Sequence, residues 1–203
     1  MIINDNSILN RLPADKIPER ELYYFEAITT FFRVIGKHYD RIFELLSSEP
    51  ISTDEGIVME IWGVIDSFRK LDSILNQFPG LKKKDPAIQV FLRKLRATEE
   101  LRHFIQHYNQ EIDNLVENLQ PPLGYVSFVK NLGDGKLQSA VIVPMVLRKY
   151  QGLKIVNPLG MNIRLTIDLI TYYFGDHEID LSVLLYGSQD FVLEIERIVE
   201  DKY

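Results

Sequence analysis

The chain has 203 residues, enough for one large domain or two small ones, and its 46% apolar and 26% charged content is that of a globular protein able to bury a core. It contains no cysteine, which excludes disulfides, thiolate metal sites and cysteine nucleophiles. The formal net charge of −6 argues against a surface coated for nucleic acid.

Residues 1–17 read as irregular, with a short helical turn around Ile8 and Leu9. The start, Met1-Ile-Ile-Asn-Asp-Asn, has neither a basic nor an apolar stretch, so no signal peptide is expected. No apolar run approaches the ~20 residues that span a bilayer. With the lack of cysteine, this points to a cytoplasmic protein without a membrane partner.

Pro18 with Glu19 and Glu21 is a helix start: proline suits the first turn, and acids favour the positive end of the dipole. The helix is expected to reach about Leu46, burying Phe25, Ile28, Phe32, Ile35, Tyr39 and Ile42. His38 and Asp40 fall off that face, and His38 is expected in solvent. Ser52 and Glu55 have capping-box spacing and open a second helix to about Phe78, with Val58, Ile61, Ile65, Phe68, Leu71 and Leu75 inward. Trp62 flanks this stripe as a core or dimer-contact residue. Pro79-Gly80 ends it, and a basic loop follows.

Residues 86–119 read as one long helix, opened by Pro86 and stopped by Pro121-Pro122. Its stripe is Leu95, Leu101, Phe104, Ile105, Tyr108, Ile112, Leu115 and Val116. Beyond it the period becomes two. Strands are expected at 123–130 and 138–148, the second holding Pro144, then at 162–173 and through Ile179, Leu181, Val183 and Leu185. Ser188 is expected to cap a terminal helix to about residue 200, and His177 to lie exposed in a turn. The expected class is α+β: an antiparallel bundle of long helices over residues 1–120, then a small antiparallel β-meander with a C-terminal helix over 121–203, either separate or packed as one unit.

The third helix carries the only chemical motif. Arg102, His103, Gln106, His107 and Gln110 form a polar face beside the apolar stripe. As a plain helix flank, Arg102 and His103 would pair with Glu99 and Glu100 at about 0.3–0.5 kcal/mol each. As a metal site, His103 and His107 stand four apart and Glu100 adds a third ligand. Phe104, however, occupies the place of the zinc-protease glutamate, and Glu100-Leu-Arg-His103 has no second copy such as a di-iron bundle needs.

The third reading takes Arg102, the polar His103 directly after it, and His107 five positions on from Arg102, in the third long helix of a bundle. This pattern resembles the HEPN family (higher eukaryote and prokaryote nucleotide-binding domains), over about residues 18–120. The resemblance implies a homodimer with both motifs facing a shared cleft. It also implies RNA or nucleotide as the partner, with metal-independent ribonuclease activity in some members and inactive scaffolding in others. By that resemblance Arg102, His107 and His103 are the catalytic set.

The residue types suit the chemistry. Cleavage of RNA by its own 2′-OH needs a base near neutral pH and a fixed positive charge on the phosphorane oxygens. In an unbroken helix Arg102 and His107 stand about 140° apart, which suits a groove completed by a second protomer. Lys82, Lys83, Lys84, Arg93, Lys94 and Arg96 precede the motif. Lys83, Lys84, Arg96 and Gln106 are the expected substrate contacts, against the plain alternative of a solvated basic flank. Gly133-Asp-Gly135 is too short for a phosphate loop and no Gly-x-Ser-x-Gly elbow occurs, so no cofactor is expected. The competing functions are a non-enzymatic interaction or scaffold protein and a metal-dependent hydrolase using Glu100, His103 and His107.

Overall fold

The computed structural model describes residues 2–48, 55–144 and 149–203. A 3-10 turn at Ile8–Asn10 precedes helix α1 (Glu19–Ser47), α2 (Gly56–Gln77), α3 (Pro86–Gln106) and α4 (Tyr108–Glu117). Strands β1 (Tyr125–Asn131), β2 (Leu137–Ile142), β3 (Ile167–Phe174) and β4 (His177–Asp180) follow, then α5 (Leu181–Lys202). The class is α+β, and the four strands form one antiparallel sheet in the order β2-β1-β3-β4.

The stripes of α1 and α2 are buried as their spacing predicts: Phe25, Ile28, Phe32, Ile35, Tyr39 and Ile42 on α1 face Val58, Ile61, Ile65, Phe68 and Leu71 on α2. Ser52, expected to cap α2, lies outside the described residues. The sheet shares the helices' core. Val126 and Phe128 of β1 and Tyr172 and Phe174 of β3 belong to the same buried cluster as the three long helices. Trp62 of α2 seals this junction: its ring stacks on Phe174 at 6.2 Å, and its indole N–H donates to the Tyr172 hydroxyl at 2.9 Å.

Several elements differ from their sequence pattern. The helix expected over 86–119 breaks at His107, whose φ of −102° and ψ of 21° leave the helical region. The break turns the next segment so that Tyr108 packs on Phe174, 5.8 Å between ring centroids. Leu115 is buried, but Ile112 and Val116 are 40% and 47% exposed.

The strand expected over 162–173 starts only at Ile167. The buried Asp168 carboxylate accepts the backbone N–H groups of Arg164 at 2.7 Å and Leu165 at 3.3 Å, and so folds the preceding residues into a turn. A bulge then shifts the β1–β3 register between Ser127 and Val129, with Leu169 at a φ of +49°. Ile170 therefore takes the inward place that strict alternation gives to Leu169.

The last strand ends at Asp180, not near Leu185. The Asp180 carboxylate accepts from Val183 N–H at 2.8 Å and starts α5. Leu181, Leu184, Leu185, Phe191, Val192 and Ile195 then keep the helical period, while Val183 points outward at 42% exposed. Ser188, expected to be the cap, is buried within the helix and donates to the Leu184 carbonyl at 2.7 Å. Strand β2 ends before Pro144, and residues 145–148, part of the expected strand, lie outside those described. Helix α5 closes the core: Phe191 stacks on Phe91 of α3 at 4.3 Å and lies 6.1 Å from Phe32 of α1.

Candidate functional site

The motif residues sit at the end of α3. Leu101 and Phe104 anchor this turn in the core, which forces Arg102, His103 and Gln106 outward. Arg102 is half-buried and donates from Nε to Oδ1 of Asp66 on α2 at 3.2 Å. Its Nη1 reaches Gln106 Oε1 at 3.3 Å. Lys70 holds the other Asp66 oxygen at 2.7 Å. The hydrogen bond from Lys70, then that from Arg102, holds the Asp66 carboxyl below its ordinary value against the opposing effect of partial burial.

The two histidines form a second row. The rings of His103 and His107 lie 4.4 Å apart, tilted by 51°. His103 is exposed and His107 half-buried. Because His107 is the junction of α3 and α4, the 140° separation of an unbroken helix does not describe it. Its backbone N–H still closes on the His103 carbonyl at 3.1 Å, which keeps it one turn from His103.

The expected substrate contacts divide. Gln106 joins Arg102. Arg96 is exposed and lies seven positions before His103, on nearly the same flank and about 10 Å along the axis. Lys83 and Lys84 sit in the loop before Pro86, at the far end of α3, about 24 Å of helix from Arg102. Lys83 is engaged there, donating to the Asn76 carbonyl. These two lysines and the motif therefore do not line one small site within a single chain.

Among the described residues no three His, Asp or Glu side chains form a group that could hold a metal ion. Glu100 thus does not complete a metal site with His103 and His107. Nor is His38 a free solvent-exposed side chain. Its Nδ1 pairs with Glu60 Oε2 at 2.7 Å, and its ring lies over Gly63 of α2, where a Cβ would come within 2.5 Å of Cε1.

Sequence reasoning missed a polar cleft of about 320 Å³ where the helices meet the sheet. Gln120 after α4, Tyr125 of β1, Gln151 and Lys154 of the long connection, and Tyr173 and His177 of the β3–β4 hairpin line it. His177 is half-buried, its ring 5.0 Å from Phe104. A faint signal exists in the sequence: Gly124, Gly152 and Gly175 stand beside these polar residues, and all three have positive φ.

Set against protein-family models, curated proteins and solved structures, the chain matches none of them. Among the described residues no helix is long and apolar enough to cross a membrane.

Proposed function

We propose that this chain is a HEPN-like protein that binds or acts on RNA or a nucleotide as a homodimer, with metal-independent RNA cleavage as its enzymatic form. Arg102 grips phosphate, His107 exchanges the proton, and His103 assists. The observation that carries the reading is the way Arg102 is held. Asp66 takes the Nε donor and Gln106 one Nη1 donor, and a guanidinium has five N–H donors, so the rest of its fork stays available for an oxyanion. One turn away His103 and His107 offer two imidazoles within contact of each other. Group type and proximity suit phosphodiester chemistry at neutral pH.

The dimer rests on α4. Ile112 and Val116, four apart, present an apolar strip to solvent directly after His107. A second copy covering that strip would bring its own motif alongside the first, which is the arrangement a composite cleft needs.

A second reading is a non-enzymatic interaction scaffold, and the same ion pair favours it: the Arg102–Asp66 link ties α3 to α2 without any ligand. Incubation of RNA with purified protein in excess chelator, beside folded Arg102→Ala and His107→Ala variants, separates the two. Cleavage by the wild type that both variants lose supports the enzyme. No cleavage by any of the three leaves the scaffold, and equal cleavage by all three assigns the activity to another site.

A further inference from the structure

We propose that the cleft between the end of α4, the start of β1 and the β3–β4 hairpin is a binding site for a neutral, hydroxyl-rich ring ligand, a sugar. It stands on different residues from the Arg102–His107 reading and does not depend on it.

Two glycines packed tightly against their neighbours shape the walls. At Gly124, with a φ of +71°, an added Cβ would fall 2.3 Å from the Tyr173 carbonyl oxygen. At Gly175, with a φ of +59°, it would fall 2.7 Å from Cζ of Phe104. Neither position has room for a side chain, so backbone alone forms these parts of the rim. The cleft's volume of about 320 Å³ is at the small end of ligand sites, which usually span roughly 300–1,000 Å³.

Its polar groups converge without being used. The side chains of Gln120, Gln151, Asp176 and His177 make no hydrogen bond among the described residues, and all four residues line one cleft. The Tyr125 hydroxyl accepts from the Lys154 backbone N–H at 2.8 Å and keeps its own proton to donate. A sugar hydroxyl both donates and accepts, as amide side chains do, so several can be matched at once by two glutamines, a carboxylate and an imidazole.

Charge selects against an anion. The one lysine, Lys154, is neutralised by Glu178 at 2.7 Å, and Asp176 adds a free carboxylate. No surplus positive charge remains to hold a phosphate. The aromatic pair selects against a nucleobase: Tyr173 has Tyr125 stacked on its ring at 4.8 Å, and the Lys154 ammonium lies 5.4 Å from its centroid. The pair is a buried wall, not an open stacking platform.

The test is a titration of the full chain, followed by the backbone amide spectrum, with D-glucose, D-galactose, N-acetyl-D-glucosamine and D-ribose. Inorganic phosphate and adenosine monophosphate form the comparison arm. The expected result is saturable shifts of the Gly124, Gly152 and Gly175 amides with at least one of the four sugars and none with phosphate. Asp176→Ala and the double change Gln120→Ala with Gln151→Ala, both judged folded by the same spectra, should weaken that binding about tenfold or more. Failure of all four sugars to shift these amides overturns the inference. So does a stronger response to phosphate or the nucleotide, or sugar binding that both variants leave unchanged.

Discussion

Arg102 donates from Nε to Oδ1 of Asp66 across the contact of α3 with α2, at 3.2 Å, and the two side chains remain 34% and 43% exposed. A pair this open contributes about 0–1 kcal/mol, because water screens it and the long arginine side chain loses freedom. Arg102→Ala should therefore cost less than about 1 kcal/mol of unfolding free energy. A double-mutant cycle with Asp66→Ala, read by denaturant unfolding, checks this. A cost above about 2 kcal/mol would make Arg102 a structural tie and remove the main support for its role as a phosphate ligand.

The glycines give a prediction graded by surroundings. Gly124 and Gly133 both have positive φ, but a Cβ on Gly124 would meet backbone at 2.3 Å, whereas one on Gly133 meets nothing within 4 Å. Gly133→Ala should cost only the strain of the left-handed region, about 1 kcal/mol. Gly124→Ala must also displace the Tyr173 carbonyl and should cost well beyond that, on the order of 3 kcal/mol. Equal losses of melting temperature for the two variants would mean that the contact at Gly124 relaxes freely.

Stripes such as Phe25 to Ile42 on α1 were legible because helical burial leaves a period of 3.6, and the core obeys it. The start of α5 was not, since Ile179, Leu181, Val183 and Leu185 fit a period of two as well. The deciding fact is where the Asp180 carboxylate points. The bulge at Leu169 and the turn held by Asp168 are tertiary events that leave no periodic trace. The break at His107 occurs with no proline or glycine near it and follows the docking of Tyr108 on Phe174. For the motif, residue types and spacing were visible, but not the hold of Asp66, which lies 36 positions away from Arg102. The cleft was hidden for the same reason: Gln120, Gln151 and His177 come from three stretches far apart in the chain.

Two carboxyls should give stability opposite slopes with pH. Glu21 is held below its ordinary value, first by the hydrogen bond from Lys202 and then by that from Tyr203. A lowered folded pKa means stability that is present above the ordinary carboxyl value and lost as pH falls through the folded value. Burial, the largest influence on Asp180, raises its carboxyl despite the backbone N–H groups of Val183 and Ser182. There the folded state binds the proton more tightly than the unfolded chain. Its contribution is full below the ordinary carboxyl value and lost as pH rises through the folded value. Asparagine also caps helices, so Asp180→Asn should keep α5 while removing that loss. Unfolding curves across the acid range should show the variant gaining on the wild type as pH rises, and Glu21→Gln losing ground over the same rise. A constant difference for Asp180→Asn would mean that its carboxyl is not perturbed by burial.

The centre of the helical packing should respond to a single truncation. Phe191 is 3% exposed, stacked on Phe91 and beside Phe32, so it joins α5 to both α3 and α1. Phe191→Ala removes a ring from a closed site and should cost about 3–5 kcal/mol. Phe191→Leu keeps most of the volume and should cost much less. A small loss for the alanine variant in urea unfolding would mean that α5 contributes little to the common core.

The dimer is tested at α4. Ile112 and Val116 are 40% and 47% exposed in the single chain. Ile112→Glu with Val116→Glu should leave the folded monomer intact, since surface changes away from packed features stay within about 0.5 kcal/mol. In a dimer that covers this strip, the two glutamates would be buried without partners, which proteins avoid at a cost of several kcal/mol. Sedimentation of wild type and variant at matched concentration should then show a dimer becoming a monomer, with unchanged circular dichroism. RNA cleavage, if it needs a cleft shared by two motifs, should fall with the dimer even though Arg102 and His107 are untouched. A wild type that sediments as a monomer, or a variant that stays dimeric, would take α4 out of the interface and leave the composite cleft without its apolar seam.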